Sequence, residues 1–220
     1  MYFAYGGMEM DYLKTRDARL GAAIDQIGWI ERAVDEDLFT SVIYHIIGQQ
    51  ISTRAQETIW QRLREAAGVV NADTMAALPL EDLQHIGISF RKAGYIKDFA
   101  ERVSSGRFDI EAIRLLPDEG VIDALSALKG VGVWTAEMLL IFCLQRPDVV
   151  SFGDLAIQRG MRMLYHHRAI DRRTFAKYAK RYSPYGTVAS LYLWAISGGA
   201  IAGMRDYAPK KNRRQRRNDR

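Results

Sequence analysis

The sequence predicts an all-α fold. Apolar residues recur at helical spacing along most of the chain, capping residues stand where the periodic stretches begin, and no alternating run bounded by turn residues suggests a strand.

The elements follow in order. Leu20, Ala23, Ile24 and Ile27 share one helical face, and Leu38, Phe39, Val42, Ile43, Ile46 and Ile47 share another. Thr53 with Gln56 reads as a capping box opening a helix that sets Ile59 and Leu63 on one side. Tyr95, Ile96, Phe99 and Val103 continue the pattern, with Gly106 as the stop. Asp118 is placed to cap a helix carrying Val121, Ile122 and Leu125, and the next helix runs from Val133 to Gln145, before Pro147. Asp171 opens a helix with Phe175, Tyr178 and Tyr182. Ser183 followed by Pro184 reads as a cap and a first helical residue leading to Leu191 and Trp194. The sum is about ten helices with short connections and no internal repeat. The first and last dozen residues are expected to be mobile.

Composition narrows the classes. A chain of 220 residues, 48% apolar, can bury a substantial core as one domain or two tightly joined lobes. Its one cysteine, Cys143, follows the apolar run Met138 to Phe142, which excludes a disulfide framework and a multi-cysteine metal or iron–sulfur site. His45, His85, His166 and His167 are too scattered for a metal site, so no side-chain metal is expected. No apolar stretch approaches the ~20 residues that span a bilayer, and the N-terminus lacks a secretory pattern, so a soluble intracellular protein is expected. The net charge of +5 is misleading: residues 205–220 carry eight Lys/Arg against two Asp, a net of +6, which leaves −1 for the rest. The basic pI belongs to that tail, which is expected to be solvated and disordered and could add non-specific phosphate affinity.

Two local features carry chemistry. Leu128-Lys129-Gly130-Val131-Gly132 joins two helices, and its glycines permit unusual backbone angles and leave amides bare at the start of the second helix. Those N–H groups and the helix dipole suit an anion such as a DNA phosphate, with Lys129 beside them. A ligand-free corner would look the same. Asp154 stands at the opening of a later helix, after the loop Asp148 to Gly153. It is either a cap alone or a carboxylate held rigidly for catalysis.

Leu128 to Ala136, with Trp134 and Thr135 inside it, followed by a glycine-containing loop and Asp154-Leu155, resembles the signature of the helix-hairpin-helix, Gly/Pro-Asp DNA glycosylase superfamily. The segment Ile47-Gly48-Gln49-Gln50-Ile51-Ser52 resembles the minor-groove segment of its 3-methyladenine DNA glycosylase II branch. The likeness spans roughly residues 17–200, departing where Lys129 and Ser151 replace the family's usual prolines.

The resemblance implies two helical lobes flanking a cleft. Residues 1–40 with 153–205 form one lobe, 41–152 form the other with the hairpin, and 206–220 are the tail. It implies a DNA-binding hairpin of Leu128, Lys129, Gly130, Val131 and Gly132, and a monovalent cation at hairpin carbonyls as the one conceivable cofactor. Gln50 becomes the wedge that fills the stack when the damaged nucleotide flips, flanked by Gln49, Ile51 and Ser52. Trp134 and Trp194, with Met138, become the base pocket, where an indole face attracts a cationic alkylpurine. Asp154 becomes the catalytic carboxylate. Trp134 stands where strand-cutting relatives place a lysine nucleophile, which implies a monofunctional enzyme releasing free base and an intact abasic strand. The partner is damaged duplex DNA, the enzyme a monomer associated with the nucleoid or cytoplasm. Two rivals stay open: a non-catalytic DNA-binding module in which Asp154 is only a cap, and a glycosylase for deaminated or oxidised bases. Arg91-Lys92, Lys97 and Glu137 read as solvated helix charges.

Overall fold

The computed structural model describes residues 1–209 and is helical: thirteen helices occur among the described residues, and one isolated bridge, Tyr2 to Ala33, is the β-type pairing found there. The basic run 210–217 lies outside the described residues. The chain divides into two compact units, at 32/33 and 146/147, where the sequence reading set the divisions at 40/41 and 152/153. One unit comprises Met1–Phe3 and Ala33–Arg146; the other comprises Ala4–Arg32 and the chain from Pro147 onward.

In the first unit, α3 (Leu38–Gly48), α4 (Thr53–Ala67), α5 (Ala72–Ala77), α6 (Leu80–His85), α7 (Phe90–Ser104), α8 (Ile110–Arg114), α9 (Asp118–Ser126) and α10 (Val133–Phe142) pack around α3 and α7. Their periodic positions are the buried ones: Leu38, Val42, Ile43 and Ile46 of α3, Leu63 of α4, Ile96 and Phe99 of α7, Val121 and Leu125 of α9. Phe39 stacks on Phe99 at 5.1 Å between ring centroids. Each such side chain taken out of water contributes about 1.5–3 kcal/mol. α10 is mostly apolar; Thr135, Ala136 and Met138 to Ile141 are buried, while Val133 and Trp134 at its start are exposed.

In the second unit, α1 (Gly7–Arg16), α2 (Ala18–Ile27), α11 (Leu155–Tyr165) and α12 (Arg172–Tyr182) surround α13 (Gly186–Ser197). The closest approach is at Gly160 of α11, where a Cβ would lie 2.2 Å from the Leu193 carbonyl oxygen of α13. A buried polar knot holds α1, α2, α11 and α12 together. Asp17 caps α2 through the amides of Arg19 and Leu20, and its Oδ2 accepts from the Tyr165 hydroxyl at 3.0 Å and Arg181 at 2.8 Å.

Several elements differ from the sequence reading. The chain start is structured: Phe3 is buried, Tyr5 stacks on Trp29 at 4.2 Å, and α1 begins at Gly7. Ser52, not Thr53, caps α4, because the Gln56 amide donates instead to the Tyr44 carbonyl. Asp118 is the first residue of α9 rather than its cap, and pairs with Arg146 at 3.3 Å. α10 stops at Phe142, short of Gln145, with Arg146 N donating to the Leu140 carbonyl. Ser183 closes α12 and its hydroxyl donates to Asp148 Oδ2 at 2.5 Å. Asp148 Oδ1 then receives the Gly186 amide at 2.9 Å, serving the start of α13 from a distant loop. Asp206, assigned to the tail by sequence, receives a two-pronged hydrogen bond from Arg162 at 2.7 and 2.8 Å.

Candidate functional site

The hairpin between α9 and α10 shows why its two glycines differ. Gly130 has φ +85°, in the left-handed region, and a Cβ there would meet the Tyr95 ring at 2.3 Å. Gly132 has φ −99°, which any residue adopts, and a Cβ there would meet nothing within 4 Å. The expectation that both glycines supply forbidden angles therefore holds for Gly130 only. Gly132 is the N-cap of α10 and offers no side-chain cap, so the open space in front of the helix start is left by a missing side chain. Leu128 and Val131 are buried, and the Val131 amide donates to the Leu128 carbonyl at 3.1 Å. Lys129 is exposed and shares Asp98 with Arg102, at 3.3 and 2.8 Å, so its charge is partly neutralised.

The segment after α3 lies against this hairpin. Gln49 Nε2 donates to the Gly130 carbonyl at 2.6 Å, making Gln49 an anchor rather than a free flank. Gln50 is exposed with φ +59°, a conformation that non-glycine residues rarely adopt. Ile51 is 38% exposed, large for an isoleucine, and Ser52 is committed to capping α4. Lys92 of α7 donates to the carbonyls of Ile47 at 2.9 Å and Gln49 at 2.5 Å; burial, with Arg91 adjacent, lowers its pKa. Lys97 similarly donates to the Ala76 carbonyl and, at 2.9 Å, the Leu78 carbonyl at the end of α5. These two lysines are thus bound to helix C-termini, where sequence reasoning saw solvated charges. Trp134, second residue of α10, is 45% exposed, while Met138 one turn later is only 3% exposed. Trp134 presents an aromatic surface; Met138 is part of the packed interior.

In the second unit the carboxylate is the centre. Asp154 is 6% exposed and caps α11, its Oδ1 accepting from the amides of Ala156 and Ile157 at 2.8 Å each. The same oxygen accepts from Trp194 Nε1 at 3.2 Å. Three N–H donors aimed at one oxygen fix the carboxylate plane. The loop before it is equally constrained: Val149 N donates to Thr187 Oγ1 at 3.0 Å, Ser190 Oγ to the Val149 carbonyl at 2.9 Å, and Gln158 Nε2 to the Phe152 carbonyl at 2.7 Å. The arrangement can hold negative charge rigidly in a largely dehydrated place, which suits stabilisation of a developing cation. Trp194, assigned to a pocket wall by sequence, also orients this carboxylate.

Sequence reasoning missed Tyr95, the ring under Gly130, and the side chains of Asp148, Thr187 and Ser190 that pin the loop. None has a local signature, since each acts on a residue far away in the chain. Lys92 had been noted and set aside.

A glycine hairpin thus opens α10 in the first unit, and a buried aspartate caps α11 in the second. The chain belongs to the HhH-GPD superfamily of base excision DNA repair proteins, whose family model matches residues 43–184. It is 31% identical over 164 residues to DNA-3-methyladenine glycosylase 1 of Schizosaccharomyces pombe, covering 72% of each chain. Its fold is similar to the crystal structure of a DNA-3-methyladenine glycosidase from Bacillus halodurans, with TM-score 0.84 and 33% identity over 94% of this chain and 97% of that one. It is also similar to a Schizosaccharomyces pombe 3-methyladenine DNA glycosylase in complex with abasic DNA, with TM-score 0.77 and 26% identity over 89% and 99% of the respective chains.

Proposed function

We propose that the protein is a monofunctional DNA glycosylase that hydrolyses the N-glycosidic bond of alkylated purines, of the 3-methyladenine and 7-methylguanine type, in duplex DNA. The observation that carries this reading is the Asp154 carboxylate, buried and held by three N–H donors, in a chain similar to proteins named for that activity.

Each step has a residue. The amides at Gly130, Gly132 and the start of α10 receive a backbone phosphate, which positions the protein without reading sequence. Gln50, already projecting, fills the gap left by the flipped nucleotide. The exposed indole of Trp134 offers a face that attracts the positive charge of an N-alkylated purine, and in the other unit the indole of Trp194 holds the Asp154 carboxylate. As the C1′–N bond breaks, its electron pair leaves with the base, neutralising it, and positive charge builds on the sugar. Asp154 stabilises that charge; water adds at C1′ and gives up a proton. With an indole at position 134 instead of an amine, no Schiff base forms and the abasic strand stays intact.

A monovalent cation at the hairpin carbonyls is compatible with the residues present. Ser126 Oγ, at the end of α9 next to the hairpin, is buried without a hydrogen-bond partner, and its oxygen lone pair would be free to coordinate an ion. No step depends on it. The protein is proposed to act as a monomer wherever the cell keeps its DNA. No helix among the described residues is long and apolar enough to cross a membrane.

The test is release of 3-methyladenine and 7-methylguanine from methylated duplex DNA by the wild-type protein, followed chromatographically. Duplex binding without any base release would favour the non-catalytic module, and release from deaminated or oxidised bases alone would favour the other glycosylase. Strand nicking without heat or alkali would contradict the role of Trp134.

A further inference from the structure

In the unit spanning residues 33–146, three contacts converge on one face of α7. Lys92 and Tyr95 are three residues apart and share that face. Lys92 Nζ donates to the carbonyls of Ile47 and Gln49, at 2.9 and 2.5 Å, at the C-terminal end of α3. The Tyr95 ring underlies Gly130 so closely that a single methyl there would collide with it. Gln49 Nε2 closes the triangle by donating to the Gly130 carbonyl at 2.6 Å. The residue that emerges from this triangle is Gln50, exposed and left-handed at φ +59°.

We infer that Lys92 is a positioning residue for base flipping: its ammonium clamps the turn at Gln49 so that Gln50 is presented in one fixed conformation against the hairpin. This rests on the glycosylase reading above and adds a residue to it. The last carbonyls of α3 have no intrahelical donors, and a cation is the favoured partner there. An ammonium has three donors in a compact head, so it can take both carbonyls at once. Lys92 is half-buried, and that burial, with Arg91 adjacent, lowers its pKa, so the ammonium meets the two carbonyls partly out of water. Gln49 and Gln50 are the central pair of a turn closed by a long bond, Ile51 N donating to the Gly48 carbonyl at 3.4 Å, and a left-handed third residue there favours glycine or asparagine over glutamine. The clamp and the Gln49 anchor add the contacts that hold this turn. α7 therefore sets the spacing between the element that would grip phosphate and the element that would enter the base stack.

The test compares wild type with Lys92→Met, which keeps the stem and removes the donors, and with Lys92→Arg, which restores a cationic donor. Four readouts are used: thermal unfolding, hydrogen exchange of the amides at 50–52, affinity for undamaged duplex, and single-turnover excision of 7-methylguanine beside a fluorescent adenine analogue that reports unstacking. Lys92→Met is expected to exchange those amides faster. It should also lose about tenfold in excision rate together with the fluorescence rise, while affinity for undamaged duplex stays within about twofold. Lys92→Arg is expected to recover most of the rate. Asparagine enters the left-handed region readily, so Gln50→Asn placed on Lys92→Met should reverse part of the faster exchange. If Lys92→Met does not fold, Lys92→Gln, which keeps one short donor in place of the ammonium, is expected to raise the exchange of amides 50–52 and slow excision to a smaller degree. Unchanged exchange and fluorescence in Lys92→Met overturn the inference, as does a rate loss matched by equal loss of duplex affinity and stability. A wild type that releases no base would defeat the proposed function alone, because the exchange of amides 50–52 still decides the clamp.

Discussion

Replacing Asp154 separates its two jobs, holding a helix and holding a charge. Asn keeps an oxygen of the same shape where the amides of Ala156 and Ile157 and the Trp194 indole donate, at 2.8, 2.8 and 3.2 Å. Asparagine caps as well as aspartate, so Asp154→Asn should lose only the charge–dipole term, about 0.3–1 kcal/mol of stability. Asp154→Ala removes the acceptor for all three donors at a site only 6% exposed. The lost cap costs about 0.5–2 kcal/mol and the indole N–H left without it about 1–3, so roughly 2–4 kcal/mol is expected. Activity should rank differently. Both variants lack the negative charge, so single-turnover release of 7-methylguanine should fall at least about 100-fold in each, the scale of a removed electrostatic stabiliser. Binding of intact duplex should be unimpaired in the asparagine variant. Thermal unfolding run beside the excision assay checks both predictions. An asparagine variant that stays folded and excises at the wild-type rate would refute the catalytic assignment and leave Asp154 a cap.

Three further predictions follow from the structure. Gly132→Ala should cost only the difference between glycine and alanine as an N-cap, up to about 1 kcal/mol, since its added carbon meets nothing and φ −99° is ordinary, yet weaken duplex binding by crowding the phosphate. Gly130→Ala should lose more stability as well as binding, through the +85° backbone and the Tyr95 ring; a Gly132→Ala variant that melts as early as Gly130→Ala would contradict this division. Gly160→Ala should force α11 from the Leu193 carbonyl and cost about 1–3 kcal/mol or more, with slower excision because Trp194 rides on α13; denaturant titration and the excision assay measure it. His45 has its pKa lowered, chiefly by burial and against the pull of Asp35. The unfolded chain thus binds the proton first, so stability should be flat above the ordinary value of 6.5 and fall as pH drops below it. His45→Gln should flatten that acid limb in pH-dependent melting, and an unchanged limb would count against the assignment.

The long helices were legible because each hides a face. α2 and α3 carry most of their buried residues at the predicted positions, Leu20, Ala23 and Ile24 in α2 and Leu38, Phe39, Val42, Ile43, Ile46 and Ile47 in α3. The short helices α5, α6 and α8, five or six residues each, span too little of a helical period to leave a pattern. From sequence alone these segments read as connections. The caps lie one residue before the predicted ones: Ser52 Oγ takes the Ala55 amide of α4, and α9 starts after Pro117 with no side-chain cap at all. Ser183 was misread more deeply. The start of α13 is served by Asp148, thirty-eight residues before Gly186, and nothing near Ser183 announces that.

The candidate site divides in the same way. Residue identity alone determined that this chain has a glycine hairpin, a carboxylate opening the helix after it, an indole where a nucleophilic amine would stand, and a basic charge confined to its end. Tertiary structure decided which glycine is conformationally required, which lysine grips carbonyls, and that the Trp194 indole holds Asp154. The reason is distance along the chain. Gln49 reaches Gly130 across eighty-one residues, and Trp194 reaches Asp154 across forty. Periodicity and caps encode which face of a helix is buried. Only the packing of helices brings a particular donor to a particular oxygen.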